Sequence, residues 1–144
     1  MRKLTFLFLF GFSLILNSCS YLTHFFILNK SEQDLEISIE FMHPIERIRK
    51  QKVTDFFKYT DQVLKINNKT LEKLDENLEY KTIDNNTIQI TTPKRSTVFI
   101  SRQNIEKTQI KSITINDVIY SKEEFEKKIR KGGGFHNYYY SIKE

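Results

Sequence analysis

The chain has 144 residues, of which 39% are hydrophobic and 13% aromatic, enough apolar material for one domain with an ordinary core, which excludes wholesale disorder. It has no Ala, no Trp and only four Gly, while Ile, Thr, Phe and Tyr are abundant, so a long regular helical bundle is disfavoured. The formal net charge is +5, and the single Cys excludes an intrachain disulfide framework and a Cys-rich zinc site.

At the N-terminus, Arg2 and Lys3 precede a thirteen-residue apolar run, 4–16, that ends at Asn17-Ser18-Cys19. A membrane-spanning helix needs about 20 apolar residues, so this run is too short to span and has the proportions of a secretory signal. An ordinary cleavage site would use Ala, which the chain lacks. Leu16-Asn17-Ser18-Cys19 instead resembles the lipobox of bacterial lipoproteins, with a branched apolar residue at −3, a small residue at −1 and the Cys itself. The resemblance covers the first twenty residues only. It implies a signal peptide over 1–18, acylation of Cys19 and cleavage before it. A short tether over 19–23 and a single β-rich domain over 24–144 would follow. Two or three acyl chains, at about 0.8 kcal/mol per buried CH2, hold a protein on a membrane. Ser20 after the Cys fits, by the same resemblance, sorting to the outer membrane with the domain facing the periplasm. The alternatives are an uncleaved anchor over 4–28, against which Asn17, Ser18, Ser20 and His24 argue, and a soluble secreted product.

Along the remaining chain, 34–41 is the clearest strand, because Leu35, Ile37, Ile39 and Phe41 alternate with Glu36, Ser38 and Glu40. The apolar run 25–28 before it, with a polar turn at 29–33, predicts an antiparallel hairpin into that strand. Pro44 ends regular pairing, and 45–66 fits either a helical spacing or an irregular excursion. Leu71, Leu74 and Leu78 fit the apolar stripe of a short helix. Strands are expected at 87–91, 97–101 and 109–115, with a turn around Pro93-Lys94-Arg95. Asn116-Asp117 suits a two-residue hairpin, since both residues tolerate positive φ. Ser121 to Glu124 reads as a capping box opening a helix through about Arg130, with Phe125 and Ile129 inward and Gly132 as its stop. A last strand runs through 135–140.

Few features point to chemistry. Lys131 followed by Gly132, Gly133 and Gly134 lacks the strand-loop-helix order of a phosphate-binding loop and is expected to be a helix stop or hinge. His24, His43 and His136 lack metal-ligand spacing, so no metal site is expected. No nucleophile motif and no distinctive carboxylate pair occurs, and neither catalysis nor a cofactor is expected. The three Asn-x-Ser/Thr matches at Asn29, Asn68 and Asn85 are taken as turns. Two basic runs stand out, Arg47, Arg49, Lys50 and Lys52, then Lys127, Lys128, Arg130 and Lys131. They are candidates for an anionic surface, or are simply two solvated faces, since Glu46, Glu123, Glu124 and Glu126 interrupt them. The address implied for the chain argues against nucleic acid. Phe135, Tyr138, Tyr139 and Tyr140 form the one dense aromatic cluster and are candidate partner contacts, with a core-closing strand as the alternative. On a strand, Tyr138 and Tyr140 would share a face and Tyr139 would take the other.

These features predict a mainly β fold, an antiparallel two-sheet sandwich, Ig-like or transthyretin-like, with one or two short helices. The expected function is that of a membrane-anchored, non-enzymatic binding or assembly subunit of the bacterial cell envelope with an envelope protein as partner. A small envelope lipoprotein that binds glycan or lipid is the alternative.

Overall fold

A computed structural model describes residues 22–50, 57–104, 109–134 and 136–143, apart from the side chains of Arg49, Lys50, Gln103 and Asn104. The signal segment 1–18, Cys19, Lys52 and Phe135 therefore lie outside the described residues.

In chain order the elements are β1 (Leu22–Asn29), β2 (Leu35–Phe41), α1 (Ile45–Lys50), β3 (Lys58–Thr60), a 3-10 turn (Leu71–Lys73), β4 (Glu76–Asn77), β5 (Tyr80–Thr82), β6 (Thr87–Thr92), β7 (Ser96–Asn104), β8 (Ile110–Ile115), β9 (Val118–Ser121), α2 (Lys122–Lys128), β10 (Arg130–Lys131) and β11 (Asn137–Ile142). They make a two-sheet sandwich. A six-stranded sheet has the order β10-β11-β1-β7-β3-β4, and a five-stranded sheet the order β5-β6-β2-β8-β9. Pairing is antiparallel except between β1 and β11, which run parallel from His24 against Asn137 to Asn29 against Ile142. A parallel pair needs a long connection, and nearly the whole domain lies between these two strands.

The core fills the space between the sheets. Phe25 and Ile27 from β1, Ile37 and Ile39 from β2, Ile88 and Ile90 from β6, Val98 and Ile100 from β7, and Ile110 and Ile113 from β8 are all buried there. Each such side chain contributes about 1.5–3 kcal/mol of burial free energy. The alternation in β2 has its expected meaning, with Ile37 and Ile39 fully buried and Glu36 exposed.

The expected hairpin between 25–28 and 34–41 does not form. The two strands pair in different sheets, β1 with β7 and β11, β2 with β6 and β8. The physical reason lies in their unlike patterns. β1 is apolar on both faces and needs cover on both sides, whereas β2 alternates. Phe26 and Leu28, on the outer face of β1, pack with Phe99, Ile66 and Leu74 in a second cluster. The chain between β3 and β4, which carries Ile66 and Leu74, thus covers the outside of the larger sheet. That requirement overrides the short helix expected from Leu71, Leu74 and Leu78. Only the 3-10 turn forms, and Leu74 goes into the second cluster while Leu78 packs on the main core. A bulge between Phe25 and Phe26 in the β1/β7 pairing fits the two faces to each other.

The crossing from β1 to β2 is held by Asn29, which is fully buried. Its Nδ2 donates to the carbonyl oxygens of Gln33 at 2.9 Å and Pro93 at 2.9 Å, and its Oδ1 accepts from the Ser31 hydroxyl at 2.7 Å. One side chain therefore fastens the β1–β2 corner to the β6–β7 turn, where the chain crosses back between sheets. Arg95 in that turn has φ 52.

Two further expectations need correction. β1 begins at Leu22, and Thr23, expected in the tether, is buried and pairs with Gln103. Helix α2 ends at Lys128, with Ile129 extended (φ −68, ψ 135), so Gly132 is not its stop. Instead the glycines allow two segments to touch. A Cβ on Gly132 would lie 2.6 Å from Ile66 Cγ2, and Gly134 holds φ +85 with Asn68 filling the space a side chain would need. Among the described residues no helix is long and apolar enough to cross a membrane.

Candidate functional site

Helix α2 bridges the two sheets at one side of the sandwich, running from edge strand β9 of the smaller sheet to edge strand β10 of the larger. Its start is the expected capping box: the Ser121 amide donates to Glu124 Oε2 at 2.9 Å, and the Glu124 amide reaches back to Ser121 Oγ at 3.4 Å. These bonds hold the Glu124 carboxyl below its ordinary pKa, the Ser121 amide being the largest cause. Phe125 is fully buried, with its ring 5.6 Å from that of Phe25 and 5.0 Å from that of Tyr140. Packing of this one face leaves Lys127 and Lys128 exposed in the last turn, where cations complement the helix dipole.

Beyond the end of α2 lies a cleft of about 660 Å3. Lys127, Lys128 and Arg130 line one side, the β8–β9 hairpin with Asn116, Val118 and Tyr120 lines another, and the end of β11 with Tyr140 to Lys143 closes it. No acidic residue is among the described residues lining it. Lys128 Nζ stands 4.0 Å from the centre of the Tyr120 ring, a cation–π contact that fixes one of the four positive charges. The hairpin that forms the opposite wall turns at Asn116 and Asp117 with φ 49 and 64, the two-residue turn expected from the sequence. Val118 and Ile119 beyond that turn are 51% and 70% exposed on an edge strand.

The structure distributes the sequence candidates among three places. Of the second basic run, Lys127, Lys128 and Arg130 border the cleft. Lys131, next along β10, lies on the outer side with Lys30 and Lys65 around a smaller hollow of about 440 Å3. Of the aromatic cluster, Tyr140 is buried against Phe125, and burial pushes its phenol above the ordinary pKa. Tyr138 packs on the same core and Tyr139 on the outer cluster, each half-buried, the division of faces expected for a strand. Arg47 is exposed on α1, and the side chains of Arg49 and Lys50 lie outside the described residues. Arg47 and the cleft stand towards different ends of β1. β2 starts beside the β6–β7 turn, where Leu35 pairs with Thr92 and Asn29 with Ser96, and runs away from the Asn29 end to Met42, whose amide donates to the Gln109 carbonyl at 2.8 Å. Helix α1 follows directly, so Arg47 belongs to the Leu22 end. The cleft is bordered by Ile142, the register partner of Asn29, and by Arg130, whose partner Tyr139 lies level with Phe26, so it extends from the middle of β1 to the Asn29 end.

Sequence patterning missed Tyr120 and Val118 of β9 and Lys143 after β11, which join the cleft from two separate parts of the chain. It also missed a polar cluster at the Leu22 end. There His24 Nδ1 lies 3.1 Å from Asn137 Oδ1, while Asn137 Nδ2 donates to Asn68 Oδ1 at 3.0 Å and to the Gly133 carbonyl at 3.1 Å. Those two acceptors make Asn137 Oδ1 an acceptor too, so the proton of neutral His24 sits on Nδ1. His24 Nε2 is buried without a partner, and burial holds the imidazole below its ordinary pKa. Among the described residues no group of three His, Cys, Asp or Glu side chains could hold a metal ion. Comparison of the chain with protein-family models, with curated proteins and with solved structures finds no match.

Proposed function

We propose that the protein is a bacterial lipoprotein, anchored to the outer membrane through Cys19 and facing the periplasm, and that it acts as a non-enzymatic binding or assembly subunit of the cell envelope. The lipobox resemblance at Leu16-Asn17-Ser18-Cys19 supports the anchor. The observation that carries the binding role is edge strand β9, which exposes Val118 and Ile119 beside a cleft ringed by cations. Exposed apolar side chains on an unprotected sheet edge are a hazard that proteins ordinarily blunt with charge or cover, and such an edge is well suited to a partner strand. Strand β1 starts three residues after Cys19, so a tethered domain would lie against the headgroups and turn the cleft towards the periplasm.

The test is extraction from native membranes in mild detergent, followed by intact-mass measurement and identification of co-purifying protein, with Cys19→Ser and Ile119→Asp variants in parallel. A chain beginning at residue 19 with added acyl mass is expected, together with a stoichiometric partner that Ile119→Asp releases. A full-length chain without acyl mass removes the anchor. A monomer that retains a bound glycan or lipid replaces the assembly role with ligand binding.

A further inference from the structure

The cleft at the end of α2 is bordered by Tyr140, Ser141, Ile142 and Lys143 in unbroken succession. Successive strand residues point to opposite faces, so it is the edge of β11 that borders the cleft. One edge of β11 is taken by β1 throughout its length. On the other edge β10 pairs only with Tyr138 and Tyr139, and past that point the strand continues to Ile142 along the cleft. An extended segment laid there would lie past Ile129, where the chain leaves the line of β10 for α2, and lengthen the sheet.

The charge around this edge selects what can lie on it. Lys127, Lys128, Arg130 and Lys143 surround the cleft with no acid among its described lining residues, and Glu124, outside the lining, is the acid within electrostatic reach of Lys127 and Lys128. Like charges gathered on a concave surface repel one another and raise a positive potential that an anionic occupant relieves. A small anion would satisfy the cations and leave the strand edge unused. A flat lipid surface would likewise leave the strand edge, set back in the recess, unpaired.

We propose that this cleft binds an extended acidic peptide segment of a partner protein, which adds as a strand beside Tyr140 to Ile142 and sets its carboxylates against Lys127, Lys128, Arg130 and Lys143. Strand addition provides affinity through main-chain hydrogen bonds, and the flanking charges provide specificity. The inference rests on the proposed role of the chain as a binding subunit and adds to the β9 edge a second point of contact with a stated partner chemistry.

The full chain, held in nanodiscs of neutral lipid, is titrated into a fluorescent heptapeptide of alternating Asp and Val and into its Lys and Val counterpart, while amide hydrogen exchange is followed. Binding of the acidic peptide alone is expected, weakened by salt, with slowed exchange at Tyr140 to Ile142. The pair Lys127→Glu and Arg130→Glu is expected to weaken it about tenfold or more, because like charges then face the peptide. Lys81→Glu, on the far edge strand β5, is expected to change nothing. Failure of the acidic peptide to bind, equal affinity for both peptides, or binding without protection at Tyr140 to Ile142 overturns the proposal. So does competition for the cleft by inorganic phosphate, by anionic vesicles or by a second copy of the chain in place of peptide binding. Acyl mass at Cys19 is read separately. A chain that binds the peptide without acylation keeps this inference and loses the anchor, and an acylated chain that ignores the peptide does the reverse.

Discussion

His24 shows how one side chain can carry a pH dependence into the fold. Its ring meets Phe99 edge-on at 6.0 Å and lies half-buried on the outer face of the larger sheet. Protonation would place a new N–H at buried Nε2 with no acceptor, in the field of the Arg102 guanidinium. Burial is the largest cause of the lowered pKa, Asn137 opposes it, and Arg102 adds to it. The sign follows from linkage. Above the ordinary value of 6.5 the imidazole is neutral in both folded and unfolded chains and costs nothing. As pH falls below 6.5 the unfolded chain takes up the proton first, so stability declines until the depressed folded value is passed, and is level below it. Urea midpoints measured from pH 8 to pH 5 should fall across that window in the native chain, and more weakly in His24→Gln. Parallel curves for the two proteins would show that His24 is not the group responsible. Asn29 makes the complementary point, because its burial is tolerable only while each of its polar atoms is bonded.

At the scale of elements, the β8–β9 hairpin shapes the wall of the cleft, and its turn is held by two residues that both carry a cost. A non-glycine residue in the left-handed region is strained by about 1 kcal/mol, and Asn116 and Asp117 both occupy it. The Asn-Gly pair is the preferred two-residue turn of this type. Asp117→Gly should therefore stabilise the domain by up to about 1 kcal/mol, partly offset by the greater freedom of the unfolded chain. An unchanged or lower urea midpoint would mean that the turn is held by something other than its own backbone preference. This hairpin and the capping box at Ser121 were both legible in the sequence, since each is written within a few adjacent residues. The helix expected over Leu71, Leu74 and Leu78 was not realised, because those leucines serve two different clusters on a sheet whose outer face had to be covered.

For the whole molecule, Arg47 stands apart from the cations of the cleft, so contact with a membrane can be tested on each separately. Arg47 stands on α1 at the Leu22 end, where a lipid tether would hold the domain, while Lys127, Lys128 and Arg130 border the cleft, which extends from the middle of β1 to the Asn29 end. A basic residue close to an anionic membrane contributes about 1 kcal/mol, or about fivefold in binding. Arg47→Gln in a Cys19→Ser background should lower co-sedimentation with anionic vesicles by about that factor. Lys127→Gln and Lys128→Gln should leave it unchanged, and vesicles of neutral lipid should bind none of them. An equal loss from both runs would show that the domain does not meet the membrane end-on.

The sequence by itself determined what depends on near neighbours. The alternation of Leu35, Ile37, Ile39 and Phe41 established a strand with one buried face, Asn116-Asp117 established a turn, and Ser121 with Glu124 established the start of a helix. Together with the β-rich composition these specify a two-sheet sandwich. Only the tertiary structure decided which strands share a sheet. It set β1 and β2 in different sheets, ran β1 parallel to β11, and folded the chain carrying Ile66 and Leu74 over the second apolar face of β1. It turned the glycine run from an expected helix stop into a close contact with Ile66 and Asn68. The cleft belongs to the same category, since Tyr120, Lys127, Arg130 and Lys143 come from different elements. Periodicity records which side of an element is apolar and leaves open what will cover it. That choice is made by burial of the whole chain at once, over separations that no local pattern spans.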